Sequence, residues 1–473
     1  MTDIRFGTDG WRGLIADDLT FTSVRLVARA IGRRVRAEGG AGAAVLVGHD
    51  TRFLSGEFAQ AAAESLSAEG LSVALTTRFA PTPAFSYAVV QRNAFGALII
   101  TASHNPPQYN GVKFKASFGG SAPLAFTRAV EAEIVRLQSE PQSDIRYPKS
   151  GIATFDPVTP WLDRLEQFVE MGRIGGSGIR VVLDVMYGAG QGLLAARLRR
   201  VGCVVEELHA ELNPGFGGLH PEPIPKYMGA LIARMREGGD GPRVGFAFDG
   251  DSDRIAPVDE TGRVITPHET LALLLRHLTE NRGERGTVVR SLNIGRMADR
   301  EASRLGLPVM VTPIGFKFIA ESMQAHDALL GGEESGGFAV RGHIPERDPG
   351  LVALLLLECL AVTGRSLGGL VADLEREHGR HCYRRLDLLL GSLAERDRVV
   401  AGLCAAPPSA ILGIPVAEVT TLDGIRLDRA DGSWVMLRAS GTEPLLRIYA
   451  EAGSEDAVEA LVGWGDALVS RKA

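Results

Sequence analysis

Ser103 lies in the stretch ITASHNPPQYNGVKF (residues 100–114), whose composition predicts a functional turn. The apolar run 97–100 indicates a strand, and the prolines at 106 and 107 break the chain shortly after it. The local sequence leaves four roles open for the serine hydroxyl group: nucleophile, phosphorylation site, metal ligand or ordinary turn serine. The flanking A-S-H-N-P lacks the G-x-S-x-G motif of a hydrolase nucleophile, which argues against that reaction class.

Three aspartates, Asp249, Asp251 and Asp253, alternate in FAFDGDSDRIAPVD (246–259) after an apolar strand. Carboxylates so close together repel one another, and a hard cation with oxygen ligands relieves the repulsion. The spacing resembles the start of an EF-hand, but Arg254 stands where that calcium loop requires glycine. Mg²⁺ fits better, because it combines a few carboxylates with a phosphate oxygen, and a phosphate on Ser103 could supply that ligand. A solvated acidic loop is the alternative.

Two further glycine-rich loops carry groups that bind sugars and phosphates. The loop LLGGEESGGFAVRGH (329–343) places Glu333 and Glu334 between glycine pairs, where carboxylates can accept hydrogen bonds from vicinal sugar hydroxyl groups. The loop LRASGTEPLLRIY (437–449) offers a guanidinium group, two hydroxyl groups and an unhindered N–H group for a phosphate monoester, with Arg447 as a second charge. The alternatives are a glycine-rich hairpin and a polar turn. Together, the four loops predict a phosphorylated monosaccharide held at both ends.

The elements that must position these loops follow a repeated pattern of strand, loop and amphipathic helix. Segments 43–70, 179–202 and 286–306 show it most clearly, and they predict α/β units with largely parallel sheet. After about residue 375 the pattern changes to strand, loop, strand and helix, which favours a smaller α+β domain. We expect four domains, over residues 1–152, 153–257, 258–375 and 376–473.

Composition excludes several classes of protein. The net charge of −6 is spread over interspersed charges, so nothing favours binding to nucleic acid or to an anionic membrane. The N-terminus has no apolar signal region, and the longest apolar run, 351–362, contains Glu358 and suits a buried helix rather than a membrane span. The four cysteines are scattered, which favours reduced thiols and a cytoplasmic protein.

The motifs TASHNP, DGDSDR, GEESGG and RASGTEP, in this order, closely resemble the four signature loops of the α-D-phosphohexomutase superfamily, and FGTDGWRG at 6–13 resembles its N-terminal motif. The resemblance covers residues 5 to about 452. It implies three related α/β domains and a C-terminal α+β domain around a central cleft. It also implies interconversion of hexose 1-phosphate and 6-phosphate through a phosphoserine, Mg²⁺ and a sugar bisphosphate, here glucose 1,6-bisphosphate.

The resemblance assigns roles to individual residues. Ser103 is implied to be the phosphoserine and a metal ligand, together with Asp249, Asp251 and Asp253. Arg12 and Lys113 match cationic groups around the reacting phosphoryl group, and Arg254 follows the metal loop. Glu333 and Ser335 match contacts to sugar hydroxyl groups. The distal phosphate clamp is matched by Arg438, Ser440, Gly441 and Thr442.

Three further residues are hypotheses for acid–base chemistry or binding. Lys113 is our candidate for the general acid or base, because burial next to Arg12 and a metal would lower its pKa. His343 is the second candidate, since histidine titrates near neutrality. We expect Lys317 in TPIGFKF to contact the phosphosugar.

Departures from the family pattern bear on the substrate. Position 337 is glycine where phosphomannomutase-like and glucosamine mutase members place histidine, and the expected K-D-G is replaced by RDPG at 347–350. The GEES motif favours glucose phosphate first, mannose phosphate (alone or with glucose phosphate) second and glucosamine phosphate third. The rivals from other classes are a magnesium-dependent sugar phosphatase and a non-catalytic sugar-phosphate sensor. We expect a monomer or homodimer.

Overall fold

Residues 4–7, 9–40, 42–139, 151–239, 241–440 and 444–472 are described by a computed structural model, in which four β-sheets follow one another along the chain. The first sheet has the strand order β1-β5-β4-β2-β3-β6, with β1 and β5 antiparallel to their neighbours and the other strands parallel. Strand β6 extends this sheet beyond the proposed boundary at residue 152. Its elements are β1 (Trp11–Leu14), α1 (Phe21–Gly39), β2 (Ala44–His49), α2 (Ser55–Ala68), β3 (Ser72–Thr76), α3 (Thr82–Gln91), β4 (Gly96–Ile100), β5 (Tyr109–Ala116), α4 (Leu124–Gln138) and β6 (Ala153–Phe155).

The second sheet has four strands in the order β10-β9-β7-β8, of which only β10 is antiparallel to its neighbour. A short 3₁₀ turn, Phe216–Gly218, precedes its last helix. Its elements are α5 (Val158–Glu166), α6 (Met171–Gly176), β7 (Arg180–Asp184), α7 (Leu193–Arg200), β8 (Val204–Leu208), α8 (Gly229–Arg236), β9 (Arg243–Phe248) and β10 (Ile255–Val258).

The third sheet repeats this plan in the order β12-β11-β13-β14, with β14 antiparallel to β13. Its first helix starts with a capping box between Thr266 and Glu269 and continues into a π-helical turn, His277–Asn281. Its elements are α9 (Pro267–Arg276), β11 (Val288–Ser291), α10 (Arg296–Leu305), β12 (Val309–Thr312), α11 (Phe316–His326), β13 (Leu330–Gly332), β14 (Phe338–Val340), α12 (Pro349–Thr363) and α13 (Leu367–His378).

The fourth sheet is antiparallel throughout, in the order β15-β20-β19-β18-β17-β16, and two helices accompany it. This confirms the expected change to an α+β domain and, with the three preceding sheets, the four-domain architecture. Its elements are β15 (Cys382–Leu389), α14 (Leu393–Ala405), β16 (Ala410–Ile411), β17 (Ile414–Thr420), β18 (Ile425–Arg429), β19 (Trp434–Ala439), β20 (Leu445–Ala452) and α15 (Glu455–Lys472).

Each predicted functional loop joins two neighbouring antiparallel strands. The loop with Ser103 joins β4 to β5, the aspartate loop joins β9 to β10, the GEES loop joins β13 to β14, and the last loop joins β19 to β20. In the first three domains the strand before the loop also pairs with a parallel neighbour. The shared placement explains why the same strand–loop–strand pattern carries all four motifs.

One apolar core spans the first three domains and includes Phe85, Phe246 and Leu355 from the three units in turn. The first domain has a second core of its own, which includes Phe58 and Phe114. The apolar helix α12 lies within this core, as its sequence predicted. The fourth domain has a separate core and meets the third through a small cluster around Trp434 and through polar contacts such as Arg296 to Asp428. The fourth domain is therefore the least firmly attached of the four.

No single helix among the described residues is both long enough and apolar enough to cross a membrane. The sharply bent pair α12 and α13 reaches the required length and composition only when its two helices are taken together.

Candidate active site

Ser103 lies in the turn after β4 with a φ angle of 54°, a left-handed conformation that is uncommon for residues other than glycine. Its N–H group donates to the hydroxyl oxygen of Thr101 at 2.9 Å, and Arg52 Nη2 donates to its carbonyl oxygen at 2.6 Å. The Arg52 guanidinium group also donates to three other carbonyl oxygens between residues 105 and 109. The hydrogen bonds of the buried Arg52 thus stabilise the turn, and they keep the Ser103 backbone in this strained conformation and its hydroxyl group in a defined position.

The Ser103 hydroxyl group donates to Asp249 Oδ2 at 3.0 Å, from the first domain to the second. Carboxylate oxygens of Asp249, Asp251 and Asp253 all lie within 4.8 Å of one another. Asp249 Oδ1 accepts the N–H groups of Asp253 and Arg254 at 2.8 and 3.1 Å, which fixes the loop. The fold therefore brings together the four residues that we predicted as metal ligands.

The aspartate loop has the properties of a cation site. Asp251 Oδ1 and Asp253 Oδ1 are buried and have no hydrogen-bond donor. Burial, followed by the charges of Asp253 and Asp251, raises the pKa of Asp249 well above its usual range. Unpaired buried oxygens and mutual repulsion are what a bound divalent cation relieves, and an all-oxygen donor set suits Mg²⁺.

Lys113 Nζ is buried among three carboxylates, at 2.7 Å from Asp251 Oδ2, 3.0 Å from Asp253 Oδ2 and 2.9 Å from Asp9 Oδ2. Burial by itself lowers the pKa of Lys113. The charges of the three carboxylates raise this pKa by a larger amount, so the net pKa lies above its usual value. The lowered pKa that we expected is therefore wrong. The partners come from other loops, and the sequence around Lys113 does not reveal them.

A cleft of about 220 Å³ is lined by residues of all four domains, including His104 next to Ser103 and Arg254 next to Asp253. The buried residues Ser103, Lys113, Asp249, Asp251 and Asp253 are themselves absent from its described lining. Arg12 and Arg254 lie at the reacting end, and Arg12 Nη1 donates to Asn105 Oδ1 at 2.7 Å. Arg254 Nε lies 3.8 Å from Asp253 Oδ1 and 4.0 Å from Asp249 Oδ2. Among the described lining residues, the basic side chains outnumber the acidic ones. The basic ones are Arg12, Arg254, Lys317, Arg347, Arg385, Arg438 and Arg447, and the acidic ones are Asp9, Glu222, Glu333 and Glu334.

The GEES loop contributes Glu333, Glu334 and Ser335 to the cleft wall. Ser335 Oγ donates to Glu333 Oε1 at 2.6 Å, so the two residues that we predicted to contact the sugar are hydrogen-bonded to each other. Asn293 Nδ2 donates to Glu334 Oε2 at 3.2 Å, and burial raises the pKa of Glu334. Lys317 also lines the cleft, at the start of α11.

The fourth domain supplies the distal end of the cleft. Arg438 Nε donates to Asp423 Oδ2 at 2.9 Å, and Arg447 Nε lies 3.7 Å from Asp387 Oδ2. Both arginines line the cleft. Ser440 is buried, and it is absent from the described lining of the cleft. The predicted contacts Gly441 and Thr442 lie outside the described residues.

Among the described residues, the side chain of His343 contacts Asp348, Tyr87 and Phe168 and not Ser103, Lys113 or the aspartate loop. Its Nε2 pairs with Asp348 Oδ2 at 2.9 Å, its ring stacks on Tyr87, and it is not part of the described cleft lining. The same Asp348 oxygen accepts Trp161 Nε1 at 2.6 Å, and Oδ1 accepts the N–H group of Leu351 at the start of α12. The contacts of His343 thus support helix α12 and the junction of three domains, so its assignment to catalysis is corrected.

Sequence reasoning missed several cleft residues: Asp9, His104, Glu222, Arg347 and Arg385. For two of them a local signal existed, because Asp9 lies in FGTDGWRG and His104 follows Ser103 directly. Burial and the charges of Arg254 and Arg12 hold the pKa of His104 well below its usual range, which favours a neutral ring beside the reacting group. For the other three, only the packing of the domains reveals the role.

Comparison with known proteins agrees with this architecture. The sequence matches four families described as phosphoglucomutase/phosphomannomutase, alpha/beta/alpha domain I over residues 3–140, domain II over 159–262, domain III over 266–378 and C-terminal domain over 395–463. A phosphoglucomutase/phosphomannomutase of Thermococcus kodakarensis is 31% identical over 95% of both chains. A phosphoglucosamine mutase of Frankia casuarinae is 34% identical over 96% of both.

Solved structures show the same fold. A phosphomannomutase candidate from Thermus thermophilus superimposes with a TM-score of 0.87 at 37% identity, covering 99% of this chain and 100% of the other. A phosphoglucomutase/phosphomannomutase family protein from Burkholderia thailandensis gives 0.83 at 25% identity, covering 99% and 97%. With the serine, aspartate and sugar loops meeting in one cleft, the chain belongs to the phosphoglucomutase/phosphomannomutase family within the α-D-phosphohexomutase superfamily, and it is an isomerase of the phosphohexomutase type.

Proposed function

We propose that this phosphohexomutase interconverts glucose 1-phosphate and glucose 6-phosphate through a phosphoryl group on Ser103. The observation that carries the proposal is the buried 3.0 Å contact between Ser103 Oγ and Asp249 Oδ2, in two loops whose residues His104 and Arg254 line a cleft rich in basic side chains. A buried serine beside three carboxylates and several cations is placed for phosphoryl transfer, which depends on positioning and on charge neutralisation.

The chemistry divides into two matching transfers. The free hydroxyl group of the bound sugar phosphate attacks the phosphorus atom on Ser103, the bond from Ser103 Oγ to phosphorus breaks, and the hydroxyl proton ends on Ser103 Oγ. The resulting glucose 1,6-bisphosphate turns around, and Ser103 Oγ attacks the phosphorus atom of its other phosphoryl group. The bond from that phosphorus to the sugar oxygen breaks, the Ser103 proton ends on the sugar oxygen, and the isomeric glucose monophosphate leaves. Mg²⁺ held by Asp249, Asp251 and Asp253 would neutralise charge on the phosphoryl oxygens.

The residues of this chain have separate tasks in that scheme. Arg12, Lys113 and Arg254 provide positive charge around the reacting phosphoryl group. Glu333 and Ser335 accept and donate hydrogen bonds with the sugar hydroxyl groups, and Lys317 adds a charge beside them. At the far end, the guanidinium groups of Arg438 and Arg447 hold the phosphate that does not react, and the family resemblance assigns Ser440, Gly441 and Thr442 to the same phosphate.

Glucose is our first choice of sugar and mannose the second, because GEES followed by GHIPERD resembles the phosphoglucomutase pattern more than the phosphomannomutase one. One observation keeps glucosamine as the third choice. Glu334 is a carboxylate on the cleft wall, and it could pair with the ammonium group of an amino sugar. The two curated relatives described above carry names for both kinds of substrate.

The deciding experiment incubates the protein with Mg²⁺, catalytic glucose 1,6-bisphosphate and glucose, mannose or glucosamine 1-phosphate, and measures kcat/KM for each. The proposal expects 6-phosphate products, with the highest kcat/KM for glucose 1-phosphate. Release of inorganic phosphate without a 6-phosphate product would instead identify a sugar phosphatase. Absence of a labelled phosphoryl group on Ser103 by intact-mass measurement would support a passive sensor.

A further inference from the structure

Arg347 connects three of the four domains at the reacting end of the cleft. Its Nη2 atom lies 2.7 Å from Asp9 Oδ2 in the first domain and 2.9 Å from Asp253 Oδ2 in the second. Within the third domain, Nη1 lies 3.2 Å from Glu333 Oε1 and Nε lies 3.1 Å from Glu346 Oε1. One side chain therefore joins the aspartate loop to the sugar loop.

The geometry requires a guanidinium group rather than an ammonium group. The fork of Arg347 directs its N–H groups to four carboxylates, and the plane also lies over the ring of Phe316 at 5.4 Å. The side chain is 5% exposed, so each of these charges is largely desolvated. A lysine ammonium group at the same place would be a point charge with three donors and could not span the same set.

Gly337 provides the space that this arrangement needs. A Cβ atom on Gly337 would lie 2.3 Å from Arg347 Cδ and 2.6 Å from Cγ, and also 3.1 Å from Glu333 Oε1. Any side chain at position 337 would thus displace the stem of Arg347. The observed position of the Arg347 side chain therefore requires glycine at position 337.

We infer that Arg347 is a positioning residue that sets Glu333, and through it the bound sugar, at the correct place relative to the phosphoryl group on Ser103. The inference rests on the proposed function, because it concerns the same transfer. The inference predicts different effects on two reactions of the phosphorylated enzyme, transfer to the sugar and hydrolysis. Transfer to the sugar needs Glu333 in place, whereas attack by water on the phosphoserine does not use Glu333.

The test measures both reactions in single-turnover experiments on enzyme labelled from glucose 1,6-bisphosphate. We expect the ratio of transfer to glucose 1-phosphate over hydrolysis to fall about 100-fold in Arg347→Lys and Arg347→Met, as for other displacements of about 1 Å. The hydrolysis rate itself should fall much less than the transfer rate, because attack by water does not use Glu333. Gly337→Ala should lower the same ratio although it leaves Arg347 unchanged. The double variant Gly337→Ala/Arg347→Met should be no worse than Arg347→Met alone, since both changes break one link.

Arg282→Lys is the matched control, because Arg282 also joins two domains through Glu358 and the carbonyl oxygen of Phe168 but lies away from the cleft. It should lower the thermal unfolding midpoint without changing the ratio. The inference is overturned if the ratio is unchanged in Arg347→Lys, if the two changes multiply in the double variant, or if only the KM for glucose 1-phosphate rises. Failure of the wild-type enzyme to take up label would contradict the proposed function instead, so the two failures are distinguishable.

Discussion

At the reacting end of the cleft, Ser103, Lys113 and Asp251 are almost wholly buried, and each contacts a residue of another domain. At the distal end, Arg438 and Arg447 face the cleft, each with one carboxylate within ion-pair distance among the described residues. An apolar core spans the first three domains, in addition to a second core within the first, whereas the main core of the fourth domain contains only residues of that domain. The reacting end is therefore buried and crosslinked between domains, whereas the distal end is lined by arginines with fewer described ion-pair partners.

The difference shows where order is needed. Bonds break and form only at the reacting end, and preorganised charges are most effective where charge develops in the transition state. In the proposed reaction the distal end must hold phosphate on either end of the sugar, so fewer fixed partners suit it. Five experiments break or sharpen this contrast.

The largest effect is expected at Ser103. Ser103→Ala removes the proposed phosphoryl acceptor, so kcat should fall by at least about a thousandfold while binding of sugar phosphate changes little. Intact-mass measurement should find no phosphoryl group on the variant. Ser177→Ala, on the surface of the second domain, is the control. Wild-type kcat in Ser103→Ala would end the proposal.

Removal of one carboxylate from the aspartate loop should have the next largest effect. Asp251 accepts hydrogen bonds from Thr82 and Lys113, and Asp251→Asn removes its negative charge from the proposed Mg²⁺ site. We expect kcat to fall about 100-fold and the Mg²⁺ concentration needed for half-maximal activity to rise. Activity measured against Mg²⁺ concentration, with chelator as the zero point, gives both values. The control Glu206→Gln removes a carboxylate from a surface ion pair with Arg234. An unaltered Mg²⁺ dependence in Asp251→Asn would contradict the site.

At the distal end the effect should appear in KM. Arg438→Ala removes one charged hydrogen-bond donor from the cleft, so KM should rise about 10- to 100-fold with kcat changed less. Labelling of Ser103 from glucose 1,6-bisphosphate at saturating concentration should persist. Arg384→Ala, on the same domain but paired with Glu455 and Glu459 at the surface, should leave KM unchanged. A loss confined to kcat would mean that the two ends are not separate.

The stability of the protein should depend on pH through His268, which lies at the interface between the third and fourth domains. Burial lowers the pKa of His268 to about 4, with Glu451 opposing the shift and His381, Arg290 and Arg426 adding to it. The unfolded chain binds a proton below about pH 6.5 and the folded one only near pH 4, so stability is lost as pH falls across this interval.

The pH effect can be measured against a matched variant. Between pH 7.5 and 5 the free energy of unfolding should fall by about 2 kcal/mol more in wild type than in His268→Asn, measured by urea titration. Asparagine keeps an acceptor for the N–H group of Gly295, which Nδ1 of His268 accepts at 2.9 Å. Equal pH dependence in the two proteins would show that His268 does not carry the effect.

The smallest effect on activity is expected at His343. His343→Gln should keep kcat within about twofold, because the ring contacts Asp348 and not the cleft, and should lower the free energy of unfolding by about 1 kcal/mol. Steady-state kinetics and thermal unfolding check the two parts. A large loss of kcat with unchanged stability would restore His343 as a catalytic candidate.

What the sequence could predict depends on how local each feature is. The strand–loop–strand segments around Ser103 and Asp249 are contiguous, so their types and spacing were enough to expect a turn, a cation site and α/β domains. The raised pKa of Lys113 depends on Asp9, which the folding of the first domain brings close, and on Asp251 and Asp253, which approach it only when the first two domains pack. The contacts of Arg347 likewise join loops far apart in the chain, and no local pattern could reveal them. His343 was a candidate only because histidine titrates near neutrality, and the sequence does not show that its side chain pairs with Asp348.

The backbone angle at Ser103 also restricts which amino acid can serve there. Threonine offers the same oxygen chemistry, but a branched Cβ atom is poorly tolerated at a φ angle of 54°. Ser103→Thr would have to relax the turn that Arg52 fastens and so would shift the acceptor oxygen away from Asp249. The choice between two chemically equivalent alcohols is thus made by the main chain.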